Sequence, residues 1–255
     1  MESIESLLFI GLIILTLIFL ELGRMISLSA IKRGTKTSSS GSGPVETIVF
    51  GLLGLLIAFT FTGAESRLEY RRLLITNATN ALSTAYARVD LLNPETQPKM
   101  RKLLKEYTLV RAKVNQDQES PYAENLLLNQ SNQLQNQIWQ LAVSECHKSD
   151  TRTCDSLLLP ALSDVFSIAT LRQAALLNHP PLVIYILLII LGLFGALLVG
   201  YALPVSKKRN LLYMMTYALT ISILITLIID MEMPRSGFVR IDSADQLMIN
   251  LGNSM

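Results

Sequence analysis

Two cysteines and two histidines are all the thiol and imidazole chemistry the chain carries. Cys146 and Cys154 share one polar stretch, CHKSDTRTC. A close pair outside the cytosol is usually bridged, whereas cytosolic thiols usually stay free, so the pair predicts a disulfide if this stretch faces outward. His147 adjoins Cys146 and His179 is remote. Zinc sites need about four ligands, and none are assembled around either histidine. No Gly-rich phosphate loop, nucleophile elbow or HExxH motif occurs. The serines are plentiful, but none sits in a nucleophilic setting. The residues predict no catalytic site, no metal and no cofactor: not an enzyme.

The remaining chemistry is charge placed beside apolar faces. Arg67, Arg71 and Arg72 stand just past a long apolar run. In a ring of subunits they would concentrate anions at a pore mouth; in the blander reading they touch lipid headgroups or pair with Glu65 and Glu69. On a helix, the run before them places Leu52, Leu56, Phe59, Thr60 and Gly63 on one side. That face could line an oligomeric pore with an apolar constriction that gates by dewetting, narrowest at Phe59. An ordinary lipid-facing or packed helix face is the alternative. Gly51, Gly54, Ala58 and Thr62 form a second, small face that lets a neighbouring backbone approach. Gly192, Ala196 and Gly200 make a similar ridge later in the chain. Tyr213, Thr216, Tyr217 and Thr220 share a face that could line water or hydrogen-bond between helices. Glu21 and Arg24, one turn apart, can form an interfacial ion pair.

The elements that must position these residues are membrane helices. The 255 residues are 50% hydrophobic and 16% charged, with mean hydropathy +0.40. A soluble domain would carry about a quarter charged residues. The charge deficit lies in four runs, 7–22, 45–64, 182–203 and 211–229, each near spanning length and none followed by a signal-peptidase site. The net charge of +2 lacks any Lys/Arg block that would suggest nucleic acid. No proline interrupts the chain between Val45 and Leu92, and Leu74, Ala78, Ala81, Ala85, Val89 and Leu92 recur at helical spacing. The second span is therefore expected to run on into water as one helix. Further helices are expected at 100–114, 122–145 and from Pro160 to His179. The Ser/Gly-rich stretch 35–44 reads as a flexible linker.

The predicted fold is all-α. Residues 1–64 hold the first two transmembrane helices and the linker. Residues 65–180 form a helical extramembrane domain, inserted between the second and third spans. Residues 181–255 hold the last two spans and a C-terminal tail. Short loops bearing Arg24, Lys32, Arg33 and Lys36, and Lys207, Lys208 and Arg209, read as cytoplasmic. That reading, with the cysteine pair, places both termini and the helical domain on the outer side.

Four segments together resemble a family of bacterial membrane proteins described as bestrophin-like: GLLGLLIAFTFTGAESRLEYRR (51–72), NALSTAYARVDLL (80–92), LLPALSDVFSIATLRQAALLNHPP (158–181) and DMEMPRSGFVRID (230–242). The resemblance implies a multi-pass protein of the bacterial inner membrane with four spans and a long second helix. It also implies a homo-oligomeric, passive anion channel, whose partners are the bilayer, further copies of the chain and anions. Bestrophins keep their large domain in the cytoplasm, whereas the charge and cysteine pattern here puts it on the periplasmic side. The alternative function is a non-conducting sensor or scaffold whose helical domain binds a ligand or partner.

Overall fold

The computed structural model describes residues 2–34, 43–116, 121–148, 153–203, 211–233 and 242–255. Most of the Ser/Gly-rich linker, the polar break at 117–120, the Lys207-Lys208-Arg209 loop and residues 234–241 lie outside the described residues. Every element described is helical: α1 (Glu2–Lys32), α2 (Pro44–Arg88), α3 (Gln97–Gln116), α4 (Pro121–Lys148), α5 (Leu159–Leu177), α6 (Leu182–Ala202), α7 (Leu211–Glu232) and α8 (Asp242–Ser254). A 3₁₀ turn at Val89–Leu91 prolongs α2, and a π-helical turn at Cys154–Leu158 leads into α5. Just past α1, Gly34 has a φ of 72°, the left-handed conformation that closes a helix.

Among the described residues, four helical stretches are long and apolar enough to cross a membrane, within Ser6–Lys32, Pro44–Leu91, Cys154–Ala202 and Leu211–Glu232. In the third, the apolar part is α6; its 21 residues span about 31 Å at 1.5 Å per residue, the thickness of a hydrocarbon core. Leu7, Ile10, Ile14, Leu182, Val183 and Ile186 are exposed, as lipid contact requires, and the helical backbone satisfies its own polar groups.

The chain divides into two compact units. In the first, residues 1–68 with 179–240, α1 packs along α6 and α7. Two glycines set how close the helices come. A Cβ added at Gly23 would collide with the Leu197 carbonyl, and one at Gly200 with the Leu20 carbonyl. Gly192 accepts the Ile221 side chain against its bare backbone, and Ala196 is fully buried with Leu20, Met214 and Ala218. The small ridge on the third apolar run thus brings backbones together. Gly51 and Gly54 differ: no atom lies within 4 Å of a Cβ added at either. The small face of α2 has no neighbour among the described residues of its own chain.

In the second unit, residues 69–178 with 241–255, the far half of α2 buries Leu74, Ile75, Ala78, Leu82, Ala85 and Val89. Ala78, Leu82, Ala85 and Val89 join Leu104, Tyr107, Ile138, Leu158 and Leu162 in one apolar core. α3 packs on α4 and also on α8, so the C-terminal segment, grouped above with the last two spans, completes this core through Met248. The Tyr86 hydroxyl donates to the Met255 carbonyl at 2.9 Å and fastens the chain end. Cys146 and Cys154 are joined, their Cα atoms 5.3 Å apart, and both are buried.

Two outcomes follow from this packing. Gly200→Ala lowers the stability of the solubilised protein by about 1–3 kcal/mol in denaturant titration, because a helix backbone must move, whereas Gly51→Ala leaves it nearly unchanged. The double variant Cys146→Ser/Cys154→Ser loses about 2–3 kcal/mol through the unfolded chain. The reduced wild type matches that variant in the same titration.

Candidate functional site

The outward side of α2 is built by a 3-4 alternation of bulky residues. Val45, Ile48, Leu52, Leu55 and Phe59 are all exposed, and Phe59, at 68%, is the most exposed large apolar side chain of the helix. Leu56, Phe59, Thr60 and Gly63 lie together in one wall of an open groove of about 200 Å³. Arg67, Pro180, Ile184, Tyr185 and Ile228 supply the rest of its lining. Leu52 is not part of the groove; it projects from the same helix two turns earlier. The Thr60 hydroxyl donates to the Leu56 carbonyl at 2.7 Å. With the donor spent on its own helix, Thr60 adds little polarity and the wall is apolar.

Arg67 supplies the groove's charge, and its guanidinium folds back over the bare backbone of Gly63, one turn away. It is anchored by Glu232, the last residue of α7: Nε donates to Oε1 at 2.7 Å and Nη2 reaches the same oxygen at 2.5 Å. His179 Nδ1 lies 3.6 Å from the other oxygen of that carboxylate. Glu232 is buried and Arg67 partly exposed, so the pair acts as a fastener between α2 and α7. The sequence does not single out Glu232, because its partner lies 165 positions away.

The three arginines expected at a mouth fare differently. Arg71 is buried, and its guanidinium donates to the Ala175 and Asn178 carbonyls at 3.2 and 3.3 Å. Those carbonyls close the C-terminal end of α5, where the helix dipole is negative. Arg71 therefore holds two helices together rather than offering charge to solvent. Arg72 is the most exposed of the three and lies 3.7 Å from Glu69. Arg24 and Glu21 pair at 3.2 Å on α1.

On α7, the Tyr217 hydroxyl donates to the Gly192 carbonyl at 3.0 Å. Its ring meets Phe50 edge-on at 6.4 Å. Tyr213, Thr216, Tyr217 and Thr220 all line an open groove beside Val199 and Leu203. Tyr217 thus serves helix packing, while Tyr213 is largely exposed. Among the described residues, no three His, Cys, Asp or Glu side chains converge as a metal site would require.

A family model described as a bestrophin-like domain matches residues 10–246. The fold is similar to the crystal structure of a bacterial bestrophin homologue from Klebsiella pneumoniae that carries one substitution. The TM-score is 0.69 at 12% identity, with 94% of this chain and 99% of that chain covered. No curated protein matches.

The Arg67–Glu232 fastener yields a double-mutant test. Glu232→Ala leaves a partly buried guanidinium without its carboxylate and costs about 2–3 kcal/mol in thermal or denaturant unfolding. Arg67→Met combined with Glu232→Gln recovers more than half of that loss.

Proposed function

Because the chain belongs to the bestrophin-like family, we propose that it is a homo-oligomeric channel through which anions cross the bacterial inner membrane passively, with α2 of each copy lining the conduit. The observation that carries this reading is the exposed apolar stripe of α2, ending at Phe59 and followed by the groove that runs to Arg67. In lipid a single chain gains nothing by keeping its small face empty, yet Gly51 and Gly54 have open space before them. A second copy's helix can approach there closely. A ring of Phe59 side chains would form an uncharged constriction that excludes water until it widens.

In this reading Arg72, the most exposed of the three though it pairs with Glu69, carries the mouth's attraction for anions; Arg71 is bound to main-chain carbonyls and Arg67 to Glu232. The disulfide supports placing the helical unit outside the cytoplasm. With four spans both termini fall on that same side, and the loops bearing Lys32 and Lys207 fall in the cytoplasm.

The test is anion efflux from liposomes holding the purified protein. Phe59→Ala raises efflux severalfold by widening the constriction. Arg72→Gln lowers it most in dilute salt, where the screening length is about 30 Å against about 8 Å at physiological strength. Arg71→Gln lowers stability more than flux. Efflux insensitive to Phe59→Ala removes α2 from the conduit, and no efflux from well-folded oligomers favours the sensor or scaffold.

A further inference from the structure

The flank of α2 carries a second feature, independent of whether the chain conducts. At 3.6 residues per turn, Leu56, Thr60, Gly63 and Arg67 stand about a quarter turn round from Ile48, Leu55 and Phe59. Phe59 is the rim that this flank shares with the bulky stripe. Across the open groove of about 200 Å³, the flank meets Pro180, Ile184 and Tyr185 at the start of α6 and Ile228 of α7.

We propose that this groove holds one acyl chain of a membrane phospholipid, whose phosphate accepts hydrogen bonds from Arg67 Nη1.

Three observations carry the assignment. The first is depth. On α2 the lining runs from Leu56 to Arg67, a rise of about 16 Å. Half of a hydrocarbon core is about 15 Å. The charged end lies where the apolar runs stop: the run on α2 ends at Ala64, α6 begins at Leu182 and α7 ends at Glu232. The groove is therefore one leaflet deep, with Arg67 at the level of the headgroups.

The second is the lining. Leu56, Phe59, Ile184 and Ile228 make the walls apolar, and the Thr60 hydroxyl is spent on the Leu56 carbonyl. A second helix is about 10 Å across and does not enter a groove of this volume, whereas a single hydrocarbon chain does. Left empty, the lining would forfeit its packing contacts on that side.

The third is charge complementarity. Arg67 spends Nε and Nη2 on Glu232 Oε1. Its Nη1 lies over the bare backbone of Gly63, and among the described residues no hydrogen bond uses it. This donor stands at the headgroup end of the groove, near His179, whose side chain is 53% exposed. A guanidinium nitrogen donating to a phosphate makes a strong, charge-assisted hydrogen bond.

The experiment is native mass spectrometry of the full chain, titrated in detergent with dioleoylphosphatidylglycerol or with dioleoylglycerol, which has the same chains and no phosphate. The wild type should retain one phosphatidylglycerol per chain and bind it about tenfold more tightly than dioleoylglycerol. Ile184→Trp fills the groove with an apolar side chain and should weaken the retained lipid about tenfold. Arg67→Lys keeps a cation beside Glu232 but lacks Nη1, and should bind the two lipids equally. Thermal unfolding of each variant shows that its fold is intact. A wild type that retains no phosphatidylglycerol, or does not discriminate between the two lipids, overturns the proposal. So does unchanged retention in Ile184→Trp, which marks annular lipid only. The readout is bound lipid rather than flux, so its failure is separate from failure of the conduit.

Discussion

Inside a bilayer, apolar side chains gain nothing by leaving lipid for one another, so helices must associate through close packing and polar contacts. The first unit meets that constraint at α6. Gly200 and Gly23 let the backbones of α6 and α1 touch, Gly192 seats Ile221, and the Tyr217 hydroxyl reaches the Gly192 carbonyl. Everything else in the unit is arranged around this contact. α2 joins through Phe50 and Leu53 beside Gly195, and through the Arg67–Glu232 pair. Its bulky stripe and its small face are left turned away from the hub. The glycines of α6 that make close contacts thus face α1, α7 and the Phe50 side of α2, and not the Gly51–Gly54 face.

The helical unit is stabilised differently, by an ordinary apolar core and local cross-links. The far half of α2 contributes its stripe to that core, and the bridge between Cys146 and Cys154 ties the end of α4 to the turn before α5. Arg71 and Arg88 each donate to carbonyls of distant segments, Ala175 and Leu157. Charges near the ends of the apolar runs are largely used inside the protein.

Periodic features were the legible ones. The uninterrupted helix from Val45 follows from the lack of proline and the apolar stripe, and the small ridge at Gly192, Ala196 and Gly200 follows from its four-residue spacing. Features that depend on remote partners were not legible. Nothing near Glu232 signals Arg67, and nothing near Arg71 signals that α5 ends beside it. The tail at 242–254 is an amphipathic segment, but nothing in it names the core of the helical unit as the place where Met248 is buried. The same limit applies to the α2 glycines: spacing marks a face for close packing, and only the fold shows that no described residue of the chain packs against Gly51 or Gly54.

The central claim is that copies of α2 surround a conduit with Phe59 at its narrowest point. Cryo-electron microscopy of the full chain in lipid nanodiscs tests it most directly. The account predicts a closed ring with an axial pore, in which Phe59 side chains make the closest approach to the axis and the Gly51–Gly54 face packs against a neighbouring copy. A monomer, or a ring in which Phe59 points into lipid and another helix lines the axis, would contradict it.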